Sequence, residues 1–510
     1  MLSLTEHLLV CGGDARLLLD ARSERNRYGC SVHPEPALAA FGSCTATSIS
    51  RSALAASQQL QQSLATRLSK PTAARLYREQ LERIRVELHG LCGLGAYSGV
   101  ETVFAASGTD LHLIASQLAA SSAGPPLHVI MMDGNETGSG VASALAGRHF
   151  CKRSALGGKV RAHEALDGAH AIELSQIALR HSDGAKRALT EIDGEIEALL
   201  QQSTQDQQRV LLVAIDVSKT GLLAPSPAYL ATLRQRHARN IDVLVDACQF
   251  RLGNASLKAY LDLGFMVGVT GSKFFTGPVF SGALLIPEAL VPRLSKQTIP
   301  PALSQYCARA EWPHRWRAAE SLAEQANFGL LLRWQAALVE LRAFRALPEA
   351  QISHFMQQFA DSMHEMLRES PSFASLAESR LDRSPLGAAP TWDQIPSIFP
   401  FLLYRAGRDG QRQPLTRAQT LGIYHQLQGL SALPAPRPAG PASAGLRCQF
   451  GQPVACGSQG GSPVSALRLC LSSRLIVQAC SEGAASAQQV IAQARSAMDQ
   501  VRSLLDQIEV

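Results

Sequence analysis

Three short segments carry residue types that could do chemistry together. Residues 243–249 read VLVDACQ and leave Asp246 at the end of an apolar run. A carboxylate at the mouth of a buried strand is costly unless another group satisfies it; alone, it reads as a capping aspartate. Residues 267–278 read VGVTGSKFFTGP and place Lys273 directly after a second apolar run, between Thr270, Ser272 and two phenylalanines. A lysine so placed faces a partly apolar pocket, where its amine is available to form an imine. Residues 106–110 read ASGTD and offer Ser107, Gly108 and Thr109 between a strand and a helix, where hydroxyls and N–H groups hold phosphate. Pyridoxal phosphate (PLP) asks for this set. Its phosphate needs a cradle, its aldehyde needs an amine, and its pyridine nitrogen needs a carboxylate that keeps it protonated.

The elements that must position these residues alternate in type. Short apolar strands at 103–106, 128–132, 210–215, 241–245, 265–269 and 283–286 are separated by helical stretches near 111–118, 192–200, 227–237 and 256–263. This alternation predicts a mainly parallel α/β sheet covered by helices on both faces. Ligands of such sheets bind outside the carboxyl ends of the strands, where the three motifs fall. A helical pattern over 71–88 precedes the run. Residues 1–69 read as an irregular arm, 70–325 as a large domain, 326–346 as a bridging helix and 347–510 as a smaller α/β domain. In that last part, strands are expected at 399–404 and 466–471, helices at 417–426 and 485–508, and a Pro/Ala/Gly-rich loop at 433–445.

Taken together, the motifs resemble fold type I PLP-dependent enzymes, within them the class V aminotransferase and cysteine desulfurase group. The resemblance covers residues 102–287 best. It implies a seven-stranded sheet in the large domain, a homodimer in which the loop Thr276–Ser281 reaches across the interface, and a Schiff base on Lys273. After release, Lys273 would also be the base that moves the substrate α-proton. It further implies that Asp246 pairs with the pyridinium and Gln249 reaches the phenolic oxygen. Ser107, Gly108, Thr109, Thr270 and Ser272 would bind the phosphate. Residues 216–221 (DVSKTG) fall where the group has a Val-Ser-Asn turn, so Lys219 replaces the Asn; it either binds a substrate anion or pairs with Asp216. Arg468, in SALR at 465–468, stands where the group clamps the substrate α-carboxylate; a surface arginine beside Arg474 is the plainer reading. The group's ring-stacking histidine is absent: 133–140 read DGNETGSG, which leaves Asn135, Thr137 or another segment to pack on the ring. His112, in the first turn of its helix, is expected to be exposed.

The reaction stays open between amino-group transfer, which leads, and a lyase reaction breaking C–S or C–C bonds or releasing CO2. A non-catalytic PLP-binding module is the third reading. Cys448 lies roughly where desulfurases carry a persulfide cysteine on a loop, yet only Arg447 adjoins it and no histidine flanks it. Residues 27–33 and 42–47 read as a docking strap, with a cover over the substrate entrance as the alternative. The bulk numbers exclude other classes. The 510 residues are 46% hydrophobic and 18% charged, with a net charge of +6 that forms no basic stripe for nucleic acid. No secretory or membrane-spanning segment is apparent and no metal motif stands out. Eleven unpaired-looking cysteines suit a reducing cytoplasm.

Overall fold

The computed structural model describes residues 3–67, 72–95, 99–120, 125–237, 240–406, 411–429, 447–481 and 483–508. The loop expected at 433–445 lies outside them. Strand β1 (Ala39–Phe41) comes from the N-terminal segment. Seven strands follow: β2 (Glu101–Ala105), β3 (Leu127–Met132), β4 (Ile172–Ile177), β5 (Val210–Ile215), β6 (Ile241–Ala247), β7 (Met266–Thr270) and β8 (Gly282–Ile286). They form one sheet in the order β2-β8-β7-β6-β5-β3-β4, in which only β8 runs against its neighbours. Every residue of β3, β5, β6, β7 and β8 is buried, as expected of strands covered on both faces. The sequence pattern placed these strands to within two residues but missed β4, an edge strand whose half-buried IELSQI lacks a continuous apolar signal.

The remaining strands are β9 (Phe373–Ser375), β10 (Ile398–Ala406), β11 (Arg412–Pro414), β12 (Cys448–Gln459) and β13 (Ser462–Cys470). They form a second sheet, β1-β12-β13-β10-β11, with β9 on β10. One expectation changes here, and the terminal helix expected at 485–508 is found with a further helix before it. The N-terminal segment is no irregular arm: β1 pairs in parallel with Cys448–Phe450, and the helix Arg51–Ala65 packs on the bridging helix Phe328–Arg345. The chain end is two helices, Ser473–Ser481 and Ala484–Leu505. Among the described residues, no helix is long and apolar enough to cross a membrane.

A buried ion pair ties β5 to the segment after β9. Arg383 donates from Nε and Nη2 to the two carboxylate oxygens of Asp216, each at 2.7 Å, and both side chains are fully buried. The Tyr260 hydroxyl donates to the same carboxylate at 2.8 Å. Asp216 is therefore not the partner of Lys219, which corrects one of the two readings given above for that lysine.

Candidate active site

The tips of β2, β5, β6 and β7 open into one cavity of about 310 Å3. Ser107, Gly108, Thr109, Lys219, Asp246, Thr270, Ser272, Lys273 and Arg468 all line it. Gln249 is not among the lining residues: it is buried beside them and its Nε2 donates to the Cys44 carbonyl at 3.0 Å.

Asp246 ends β6, where its Oδ1 accepts the Cys248 N–H at 3.1 Å. Its Oδ2 lies 3.3 Å from His112 Nε2. His112 Nδ1 faces the Gly108 carbonyl at 2.6 Å, and a carbonyl can only accept, so Nδ1 carries a proton. Burial pushes the Asp246 carboxyl up, but His112, Lys273 and the Cys248 side chain outweigh it, and the group is held well below the usual carboxylate range. His112 is thus 1% exposed, against expectation. Its helix, Gly108–Ala119, is buried on every side, and a stretch such as LIASQLA, apolar all round but for Ser116 and Gln117, is the signature of an interior helix.

Ser107 caps that helix, its Oγ accepting from Thr109 N at 3.2 Å and Asp110 N at 3.3 Å. Gly108 is required by close approach: a Cβ there would sit 2.9 Å from Cys248 Sγ and 3.3 Å from Thr270 Cγ2. Arg16, from the N-terminal segment, donates to Thr109 Oγ1 at 3.3 Å and Ser107 Oγ at 3.4 Å while its guanidinium lies 4.5 Å over the Phe280 ring. No local pattern marks Arg16 for the site, since Ser107 and Thr109 lie more than ninety residues away. The Thr270 hydroxyl donates to the Cys248 carbonyl at 2.6 Å, so its proton is already committed. The Ser272 and Lys273 side chains, by contrast, make no hydrogen bond or ion pair within the described residues, although the Lys273 carbonyl accepts from Thr276 N at 2.9 Å.

Arg468 is 1% exposed, not a surface arginine. Its Nη1 donates to the Lys219 carbonyl at 3.1 Å and Nη2 to Thr45 Oγ1 at 3.0 Å and to the Gln452 carbonyl, while Nε has no partner. Arg474 instead pairs with Glu340. Arg27, Tyr28, Cys44 and Thr45 also stand in the wall, so the segments expected to be a docking strap take part in the cavity. So do Val279 and Phe280, from the loop after Lys273. Gly134 and Asn135 are lining residues, Thr137 is not, and none of the residues at 133–140 is aromatic. Of six non-glycine residues with positive φ among the described residues, three follow the tips that carry the site: Val217 (60°), Phe250 (53°) and Thr276 (53°). Such backbone costs energy for a β-branched residue and gathers at functional sites.

Cys448 does not line this cavity. It opens strand β12 rather than sitting on a loop, is fully buried, faces Gln500 Oε1 at 3.6 Å, and burial pushes its thiol up to about 12. None of the eleven cysteines is in a disulfide.

No family model and no curated protein matches the sequence. Solved structures do match its shape. A complex of the cystine C–S lyase C-DES with cysteine persulfide superposes with a TM-score of 0.51 at 15% identity, over 90% of this chain and 97% of that one. The glutamate decarboxylase domain of a diaminobutyrate–pyruvate transaminase and L-2,4-diaminobutyrate decarboxylase from Vibrio parahaemolyticus gives 0.51 at 14% identity, over 94% and 82%. A NifS-like protein from Rickettsia africae ESF-5 gives 0.50 at 11% identity, over 91% and 99%. The chain has the fold type I architecture of PLP-dependent enzymes. The cavity lies at the strand tips of the first sheet, with residues 452–455 and Arg468 of the second sheet in its wall.

Proposed function

We propose that this chain is a PLP-dependent enzyme acting on an α-carboxylated amine, with amino-group transfer as its reaction. One observation carries the reading: an ionised Asp246 and a partnerless Lys273 line the same cavity, beside a helix N-terminus free of any Cβ at Gly108. Those residues fit the cofactor. Ser272, Thr109 and Arg16, with the start of helix Gly108–Ala119, would hold the phosphate; Lys273 would hold the aldehyde carbon covalently. Bound there, PLP supplies an electron sink for negative charge at the substrate α-carbon. Asp246, kept charged by His112, holds a proton on the ring nitrogen. Lys273, once released, takes the α-proton and returns it, a role worth about 10^2–10^4 in rate. Arg468 orients the substrate carboxylate, and its spare Nε–H leaves capacity to do so. A homodimer is proposed with it, to be checked by mass in solution.

The test is to load the purified protein with PLP and follow the cofactor spectrum through a panel of amino acids. Conversion to the pyridoxamine form supports transfer. Ammonia and a keto acid at constant cofactor form move the reading to elimination, released CO2 to decarboxylation. A spectrum that no amino acid changes leaves a binding module.

Cys448→Ala is expected to leave any such activity within about twofold of the parent, since a buried, protonated thiol is inert packing. A loss of activity with unchanged folding would bring the persulfide role back.

A divalent-metal site is the second reading, because one ligand atom each from His112, Asp246 and Cys248 lie within 4.8 Å of one another. Elemental analysis separates the two: stoichiometric zinc in a protein that takes no PLP would favour the metal.

A further inference from the structure

The cavity holds more positive charge than the proposed chemistry uses. Arg16, Arg27, Lys219, Lys273, Arg417 and Arg468 line it, against the single carboxylate of Asp246. Arg16 is paired with Asp14 at 2.6 Å and faces the phosphate cradle. Lys273 is taken by the cofactor and Arg468 by the substrate α-carboxylate. Lys219, Arg27 and Arg417 remain.

Lys219 is the informative one. Among the described residues its ammonium donates only to the carbonyls of Asn135 at 3.0 Å and Gly134 at 3.4 Å, so one of its three N–H bonds is left over there. Its nearest acidic groups are occupied: Glu136 is bound by Arg180 at 2.9 Å and by the Ser218 and Thr220 hydroxyls, and Asp133 accepts from Asn135. Arg468 is anchored on the Lys219 carbonyl, which fixes the two cations in one wall. Burial, then the charges of Arg468 and Lys273, push the Lys219 amine down to about 8 against the partial support of Glu136 and Asp133. The Arg27 and Arg417 side chains are exposed at the rim and make no hydrogen bond or ion pair within the described residues. Crowding like charges around a partly buried lysine is unfavourable unless an anion arrives to offset it.

We infer that the cavity contains a second anion subsite, formed by Lys219 with Arg27 and Arg417 at the rim, and that the substrate is an amino acid bearing a carboxylate or phosphate on its side chain as well as its α-carboxylate. The inference rests on the PLP reading for its first anion, Arg468's, and adds the second.

Inert ligands without an amino group test it by calorimetry on the PLP-loaded protein: butyrate with one carboxylate, succinate and glutarate with two, and 3-phosphonopropionate with a carboxylate and a phosphonate. The dianions are expected to bind about tenfold or more tightly than butyrate, the size of one charge-assisted contact. The tighter of the dicarboxylate and phosphonate arms names the second anion. Lys219→Met should erase the preference, and Arg27→Ala and Arg417→Ala, both exposed and safe for folding, should each lower it by about two- to threefold. The preference should fade as pH rises through about 8, where Lys219 loses its proton. Equal binding of butyrate and the dianions, or a preference that survives all three variants, would overturn the subsite. A protein that takes up PLP but shows no dianion preference refutes the subsite alone. One that prefers dianions but takes up no PLP refutes the cofactor reading and keeps the subsite.

Discussion

Asp246→Ala is expected to lower turnover by a factor on the order of 10^2–10^4 and to weaken cofactor retention. The carboxylate does two jobs, and alanine removes both. It faces the cavity, where it would hold the proton on the ring nitrogen, and it is the buried counter-charge of His112 at 3.3 Å. Stripping one member from a buried pair leaves the other without its partner and costs up to about 3–5 kcal/mol. Asp246→Asn separates the effects, since it keeps the shape and loses the charge. The acid limb of stability should change too. Because the folded-state carboxyl is held below its ordinary value of 3.8, Asp246 adds stability at pH above that value, and the gain is lost as pH falls through the depressed one. Urea unfolding at pH 7 and near pH 3 should show a smaller acid penalty in the variant than in the parent. A variant with full turnover would remove Asp246 from the site.

Arg383→Ala carries the largest expected loss of stability, about 3–5 kcal/mol, against a total near 5–15 kcal/mol for an ordinary domain. The guanidinium grips both oxygens of Asp216 and donates to the Asp393 carbonyl at 2.8 Å, with no exposure on either charged side chain. Alanine leaves Asp216 buried with only the Tyr260 hydroxyl. The damage should reach the site, because Asp216 and Lys219 share one turn and Val217 between them holds its positive φ in that packing. Replacing the pair together, Asp216→Asn with Arg383→Met, should cost less than the single change, since no charge is stranded. An unchanged urea midpoint for Arg383→Ala would mean that the pair contributes nothing net.

The large sheet and the two ends of the site were legible from sequence for one reason: continuous apolar strands stop abruptly at Asp246 and Lys273, and no surface position needs that pattern. Ser107, Gly108 and Thr109 were legible because a helix start has its own signature. What escaped depends on distance along the chain. Residues Ala39–Phe41 find their partners at Cys448–Phe450, and Arg16 finds Ser107 and Thr109, through pairings that no local window contains. Gln249 was assigned by motif position, but only the fold shows that the Cys44 carbonyl claims its amide. The same packing turns Cys44 into the wall beside Arg468 and Arg251, whose charges with a Cys470 contact pull its thiol down despite burial. Cys448 matched the persulfide position only by its rough place along the chain, and the fold shows it opening a buried strand.

Borohydride reduction of the PLP-loaded protein, followed by peptide mass spectrometry, tests the central claim most directly. The expected result is one pyridoxyl group on the peptide containing Lys273, absent when that residue is alanine. A label on Lys219 or another lysine, or a protein that takes up no PLP at all, would contradict it.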